Sequence, residues 1–128
     1  MKKLMEEEKI VLFSEPEETA SRGLKPYFDE KGYRLSVVKT LKETLLTLQD
    51  QRVDALVIDA ALLEEDCGFI SVIKGIEKDL PIIICAESNT PELESKIRKE
   101  KIFYYHIKSF GIEDLEMAIS NAINGLSQ

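Results

Sequence analysis

The stretch Asp54-Ala55-Leu56-Val57-Ile58-Asp59 holds a continuous apolar run between two carboxylates. A run that suits burial on both faces predicts a central strand of a parallel sheet rather than an antiparallel strand with one wet face. Asp59 then lies at the carboxyl end of the strand, the edge of an open α/β sheet where ligands bind. We therefore take Asp59 as the first candidate site residue. The alternative is that Asp59 only opens the loop before the next helix.

The size and charge of the chain limit its function. With 128 residues it is long enough for one domain with a single core. The net charge of -7 argues against direct binding to nucleic acid, because the phosphate backbone would repel the protein. Residues 1–8 contain no apolar segment long enough for export or a membrane span. Cys67 and Cys85 lack the spacing of a metal site, so we expect two core thiols in a cytoplasmic protein.

Apolar runs alternate with helical patterns along the chain. The other strands are predicted at residues 10–13, 33–38, 81–85 and 102–107. The helices that follow the strands are predicted to start near Pro16, Leu41, Phe69, Pro91 and Ile112. Acids in its first turn favour the start of the first helix at Pro16, Pro26 predicts a kink, and Gly32 predicts its end.

Five strands alternating with five helices predict an α/β fold with a doubly wound parallel sheet in the order 2-1-3-4-5. Residues 9–125 form the single domain, 1–8 an amino-terminal extension and 126–128 a tail. In this order strands one and three are neighbours, so Ser14-Glu15 and Asp59 should converge on one crevice. Oxygen ligands in a hydrated crevice suit Mg²⁺. The first turn also lacks the glycine-rich segment that a phosphate site would need, which favours a cation there.

Several residues then carry a resemblance to a known family. Asp59 ends strand three, Glu15 follows strand one, and Tyr105 stands three residues before Lys108. The stretch 108–115 is similar to a Lys-Pro-Phe pattern that leads into an amphipathic last helix. From Lys9 to about Ile123 the chain resembles the receiver domains of bacterial two-component response regulators, which have a flavodoxin-like fold.

This resemblance implies that Asp59 accepts a phosphoryl group from a histidine kinase, a phosphotransfer protein or a small acyl phosphate. Mg²⁺ would be held by Glu15, Asp59 and the backbone carbonyl of Ala61, with Ser14 acting through a water. Lys108 would pair with the phosphoryl oxygens. Such a domain promotes its own phosphorylation and is not counted as an enzyme. The resemblance also implies a partner, either an output domain that regulates transcription or a second copy, on the face formed by helix four, strand five and helix five.

The chain departs from the family pattern at three places. Ser14 replaces the first of two acids, which we expect to weaken the Mg²⁺ site about tenfold. Ala86 replaces a Ser or Thr at one of the two switch positions, Ala86 and Tyr105. A lost hydrogen bond to a charged group costs about 1.5 to 3 kcal/mol, so we expect incomplete switching. Leu63 stands where the family often has Pro, in a loop one residue longer before Gly68.

Each assignment has a structural alternative. Lys108 would be a solvated residue at a strand end, Tyr105 a half-buried edge aromatic and His106 an exposed residue. Residues 64–66 would be a hydrated loop with Asp66 as the N-cap of the next helix. The rival function is a degenerate receiver that binds partners without phosphorylation. A third possibility, a small flavodoxin-like redox protein, is disfavoured by the acidic first turn.

Overall fold

The computed structural model describes residues 8–64, 68–88 and 90–125. The predictions for the rest of the extension, the tail, the Asp66 cap and Cys67 lie outside the described residues. The strands are β1 (Ile10–Ser14), β2 (Arg34–Val38), β3 (Ala55–Asp59), β4 (Ile82–Ala86) and β5 (Tyr104–Ile107). The helices are α1 (Ala20–Lys31), α2 (Leu41–Asp50), α3 (Phe69–Ile76), α4 (Pro91–Arg98) and α5 (Ile112–Ile123). Short 3-10 turns follow β3 and β5.

The five strands form one sheet in the order β2-β1-β3-β4-β5, and every pair is parallel. This confirms the predicted α/β architecture and strand order. Strand β3 is central, and Val57 pairs with Phe13 on one side and with Ile83 on the other. The carboxyl ends of β1, β3, β4 and β5 therefore share one edge of the sheet, where Asp59 lies opposite Cys85.

Side chains that alternate along the strands divide the core into two layers. Leu12, Ile58 and Ile84 face one layer, which α2, α3 and α4 cover. Phe13 and Val57 face the other, which α1 and α5 cover. Both faces of the sheet are buried, as a continuous apolar run such as 55–58 requires. In the described part of the chain, no helix is both long and apolar enough to cross a bilayer.

The start of α1 differs from the prediction. The helix begins at Ala20, not at Pro16, and its first turn contains no acid. The cause is Glu15, because its Oε2 accepts hydrogen bonds from the backbone N–H and the hydroxyl of Ser21. This buried carboxylate supplies a partner for an N–H that a helix start leaves free. The predicted end is confirmed, since Gly32 has a positive φ of 76° and closes α1.

Candidate functional site at the carboxyl edge of the sheet

Asp59 and Lys108 form the centre of the site. Asp59 ends β3 with a side chain that is 12% exposed. Its Oδ1 accepts from the backbone N–H of Ala61 at 2.9 Å, and its Oδ2 accepts from Nζ of Lys108 at 2.8 Å. The turn after β3 and the turn after β5 thus each hold one oxygen of this carboxylate. Lys108 therefore binds Asp59 and is not simply a solvated residue at a strand end, while its pairing with a phosphoryl group stays a prediction.

The charge of Lys108 is stabilised by its neighbours. Burial by itself would lower the pKa of the ammonium, but the hydrogen bond and charge of Asp59 and the charge of Glu87 together raise it. Oε1 of Glu87 lies 3.6 Å from Nζ, although Glu87 itself is exposed. Lys108 is therefore a fixed cation at neutral pH, pointing at the carboxylate that ends β3.

A cavity of about 520 Å³ opens beside this pair. It is lined by Asp59, Lys108, Ala86 and Tyr105, and by further residues, namely Pro16, Glu17, Thr19, Ala60, Ala61, Glu64, Glu87, Ser88, Thr90 and Leu93. Ala86 is 3% exposed and brings no hydroxyl to the lining. The two predicted switch positions thus share a cavity with the candidate acceptor. Leu63, on the loop, is fully buried.

Ser14 and Glu15 form hydrogen bonds with residues outside the cavity lining. Ser14 is fully buried, and its hydroxyl lies 2.6 Å from Oγ1 of Thr44. Thr44 already donates its only hydroxyl proton to the carbonyl of Thr40, so Ser14 is the donor. Glu15 is 2% exposed and bound to Ser21. The structure therefore does not bring these two side chains to the cavity lining, and their predicted contacts with a metal stay a prediction.

The residues that do line the cavity fit a weakly held, largely hydrated Mg²⁺. Such an ion needs only one or two carboxylates, since it keeps several waters. Asp59 lines an open cavity whose lining also includes the exposed acids Glu17 and Glu64. Within 8–64, 68–88 and 90–125, no three His, Cys, Asp or Glu side chains converge closely enough to form a complete metal cluster. Both acids were missed from the sequence alone, because its pattern places Glu17 in the first turn of α1 and Glu64 in a hydrated loop.

Substituting Ser14 tests its placement. We expect Ser14→Asp to lower the free energy of unfolding by about 2 to 3 kcal/mol, because it buries a carboxylate beside a threonine that has no proton left to donate. Ser14→Ala should cost only about 1 kcal/mol, the value of a hydrogen bond. Urea denaturation measures both. An aspartate that is tolerated and raises Mg²⁺ affinity would mean that residue 14 faces the crevice.

Strand β5 carries a second polar group that the sequence did not reveal. The structural alternatives made Tyr105 half-buried and His106 exposed, but the two residues are 4% and 2% exposed. Both alternatives are wrong because helices cover both faces of this edge strand. Arg98 of α4 lies over the ring of Tyr105 at 5.3 Å, and Asp114 of α5 contacts Nδ1 of His106 at 3.0 Å. A carboxylate only accepts, so Nδ1 carries the proton.

Asp114 makes the free energy of unfolding depend on pH. Its Oδ2 also accepts from the hydroxyl of Tyr104 at 2.7 Å, and this bond, followed by His106, lowers the pKa of Asp114 below its ordinary 3.8. A lowered folded pKa gives stability that is present above the unfolded pKa and is lost as pH falls through the folded one. We expect the urea midpoint to fall from about pH 4 downward. Asp114→Asn should show a smaller fall, and equal falls would contradict this assignment.

Comparison with known proteins places the fold. No family model matches the chain, and no curated protein matches it. The signal receiver domain of an HD domain-containing protein from Pseudomonas fluorescens Pf-5 superposes with a TM-score of 0.81 at 19% identity, over 93% of this chain and 97% of that one. The chain has the receiver-domain fold.

Two further structures share this receiver fold. A response regulator receiver domain protein from Methanospirillum hungatei JF-1 has a TM-score of 0.81 at 15% identity, covering 93% of this chain and 96% of that one. A signal receiver domain of a two-component histidine kinase from Clostridium thermocellum has a TM-score of 0.78 at 23% identity, covering 90% and 97%. Identities this low make the likeness one of fold alone.

Proposed function

We propose that this chain is a receiver domain of a two-component phosphorelay and accepts a phosphoryl group on Asp59. The observation that supports the proposal is the 2.8 Å contact between Asp59 and Lys108 beside an open cavity. A structural ion pair alone would not require a cavity next to it. Here the carboxylate meets both a fixed cation and space for a small phosphorylated group.

The proposed reaction is a group transfer that needs no other nucleophile. A carboxylate oxygen of Asp59 attacks the phosphorus of an acyl phosphate or a phosphohistidine, and the bond from phosphorus to the leaving oxygen or nitrogen breaks. The electron pair of that bond leaves with the carboxylate or imidazole product. Lys108 neutralises charge on the phosphoryl oxygens. When bound, Mg²⁺ would supply further positive charge, and Asp59 is the residue that would hold it, with Glu17 and Glu64 acting through water.

We also propose the signalling context that follows from this role. A histidine kinase or phosphotransfer protein would donate the phosphoryl group, and the domain would not act as an enzyme on other substrates. Its output surface would be the face formed by α4, β5 and α5. Arg98 of α4 and Tyr105 of β5 are in contact on this face, and Tyr105 also lines the cavity. A group bound in the cavity would therefore contact a residue that belongs to the output surface.

The second candidate function is a partner-binding module that works without phosphorylation. It is favoured by the Ser14 hydroxyl and the Glu15 carboxylate, which are both occupied by structural hydrogen bonds, and by Ala86, which offers no hydroxyl to a phosphoryl group. These positions weaken the site without removing the Asp59 and Lys108 pair. For this reason we keep the phosphoacceptor as the leading proposal.

Incubation with millimolar acetyl phosphate and Mg²⁺ separates the two candidates. A phosphoacceptor gains the mass of one phosphoryl group, and the gain is lost on alkaline hydrolysis, since acyl phosphates are labile. Beryllofluoride with Mg²⁺ should shift amide resonances near Asp59, Ala86 and Lys108. No gain in mass together with an unchanged spectrum would overturn the phosphoacceptor proposal in favour of the second candidate.

A further inference from the structure

A second cavity lies at the opposite edge of the sheet, where β4 and β5 begin. It has a volume of about 460 Å³. Its apolar surface comes from residues that precede the two strands and from the end of α5, namely Leu80, Pro81, Ile102, Phe103 and Ala122. Because β4 spans five residues, this cavity is about 15 Å from Asp59. It is therefore independent of the site at the carboxyl edge.

The polar lining of this second cavity is positive in a negative protein. Lys74, Lys78 and Lys101 line it, with Asp79 as the single acid. The chain as a whole has a net charge of -7. Among the described residues, none of the three lysines has an acidic partner within ion-pair distance. Three ammonium groups with no ion-paired acid in the described part of the chain make this edge suited to an anion.

Lys101 holds an unusual backbone conformation at the rim. Its φ is 61°, and it is the one described residue other than glycine with a positive φ. The chain turns there after α4, with the N–H of Lys101 donating to the carbonyl of Arg98 at 3.2 Å. Glycine adopts this conformation freely, whereas a lysine is strained. Strained backbone of this kind clusters at functional sites, which makes the side chain at 101 a candidate for a ligand role.

From this arrangement we infer that the cavity binds a small organic phosphate, such as a nucleoside diphosphate. Lysine ammonium groups suit phosphate oxygens as point charges. The apolar floor and the partly buried ring of Phe103 offer a surface on which a planar base can lie. The volume falls in the range of about 300 to 1,000 Å³ that holds small ligands. The inference does not depend on phosphorylation of Asp59.

Titration with three probes tests both halves of the inference. ADP carries phosphates and a base, pyrophosphate carries only the phosphates, and adenosine carries only the base and sugar. We expect saturable binding of ADP by calorimetry, tighter than that of either other probe. Amide shifts in NMR should cluster at Lys101, Ile102, Phe103 and Ala122. Absence of saturable ADP binding at millimolar concentration, or shifts centred on Asp59, would overturn the proposal. Pyrophosphate binding as tightly as ADP would overturn the role of the apolar floor.

The variant Lys101→Gly separates the ligand role from a folding role. Glycine relieves the positive φ, so the unfolding temperature should stay the same or rise. Affinity for ADP should nevertheless fall about three- to five-fold, the effect of one exposed charge pair. Lys42→Ala is the matched control, because it removes the same charge from an exposed position on α2. If Lys42→Ala weakens ADP binding as much as Lys101→Gly does, the loss of affinity reflects net charge alone and the proposed site is wrong.

Discussion

Replacing Asp59 by Asn abolishes both the phosphoryl gain from acetyl phosphate and the spectral response to beryllofluoride. The amide nitrogen is not a nucleophile toward phosphorus, and a neutral amide attracts neither Lys108 nor a metal ion as a carboxylate does. We expect the rate of labelling to fall below detection, which is at least about 10³-fold when no other acceptor exists. Intact-mass spectrometry over time measures the rate.

The residue just before β3 supplies the matched control. Asp54 stands before β3, where its Oδ2 accepts from the backbone N–H of Ile10 at 2.8 Å and pairs with Arg52. Asp54→Asn keeps an acceptor for Ile10 but removes the same charge from the far end of the strand. Its labelling rate should match that of the unsubstituted chain. If Asp59→Asn is labelled as well as Asp54→Asn, the phosphoryl group lies on another residue and the proposed function loses its acceptor.

Phe28→Ala has the largest expected effect on stability. The ring of Phe28 is 1% exposed and lies beneath α1 against Phe13, Tyr27 and Tyr33, with centroid distances of 6.1, 6.1 and 5.8 Å. Truncation leaves a cavity that its neighbours only partly fill, at a cost of about 3 to 5 kcal/mol. A domain of this size has about 5 to 15 kcal/mol in total, so the urea midpoint should fall steeply.

A second substitution at position 28 shows whether packing is the cause. Phe28→Leu keeps most of the apolar volume and loses only the ring contacts, so it should cost clearly less than alanine does. If the dependence of the unfolding free energy on urea concentration is the same for both variants, the differences reflect stability and not a change in the unfolded state. Equal losses for leucine and alanine would show that the aromatic contacts, and not the filled volume, stabilise α1 on the sheet.

Much of the fold was predictable because its signals are local. The apolar run 55–58 suits only a strand buried on both faces, and Gly32 ends α1 because it accepts a positive φ. The start of α1 was not predictable from the same rules. Pro16 and the acids after it are typical of a first helical turn, yet the carboxylate of Glu15 binds Ser21 and moves the start to Ala20. That contact depends on side-chain direction, which sequence spacing does not show.

The candidate site divides in the same way. Topology predicted that Ser14-Glu15 and Asp59 would lie at one edge of the sheet, whereas the place of Lys108 followed from the resemblance to receiver domains. The directions of Ser14 and Glu15, and the burial of His106, depend on which neighbouring helix offers a partner. Thr44 on α2 and Asp114 on α5 are distant in sequence from the residues they bind. The residue pattern of β1 or β5 does not predict these hydrogen bonds.

The wholly parallel sheet also sets how the chain reaches its native state. Neighbouring strands cannot be joined by a tight hairpin, and the N–H of Ile10 at the start of β1 binds Asp54, 44 residues away, just before β3. Each strand pairing therefore requires closure of a long loop, and the chain loses this conformational entropy before the stabilising contacts form. Refolding of this protein should be slower than that of a helical bundle of equal length, with strand edges exposed to other chains while the central pairing forms.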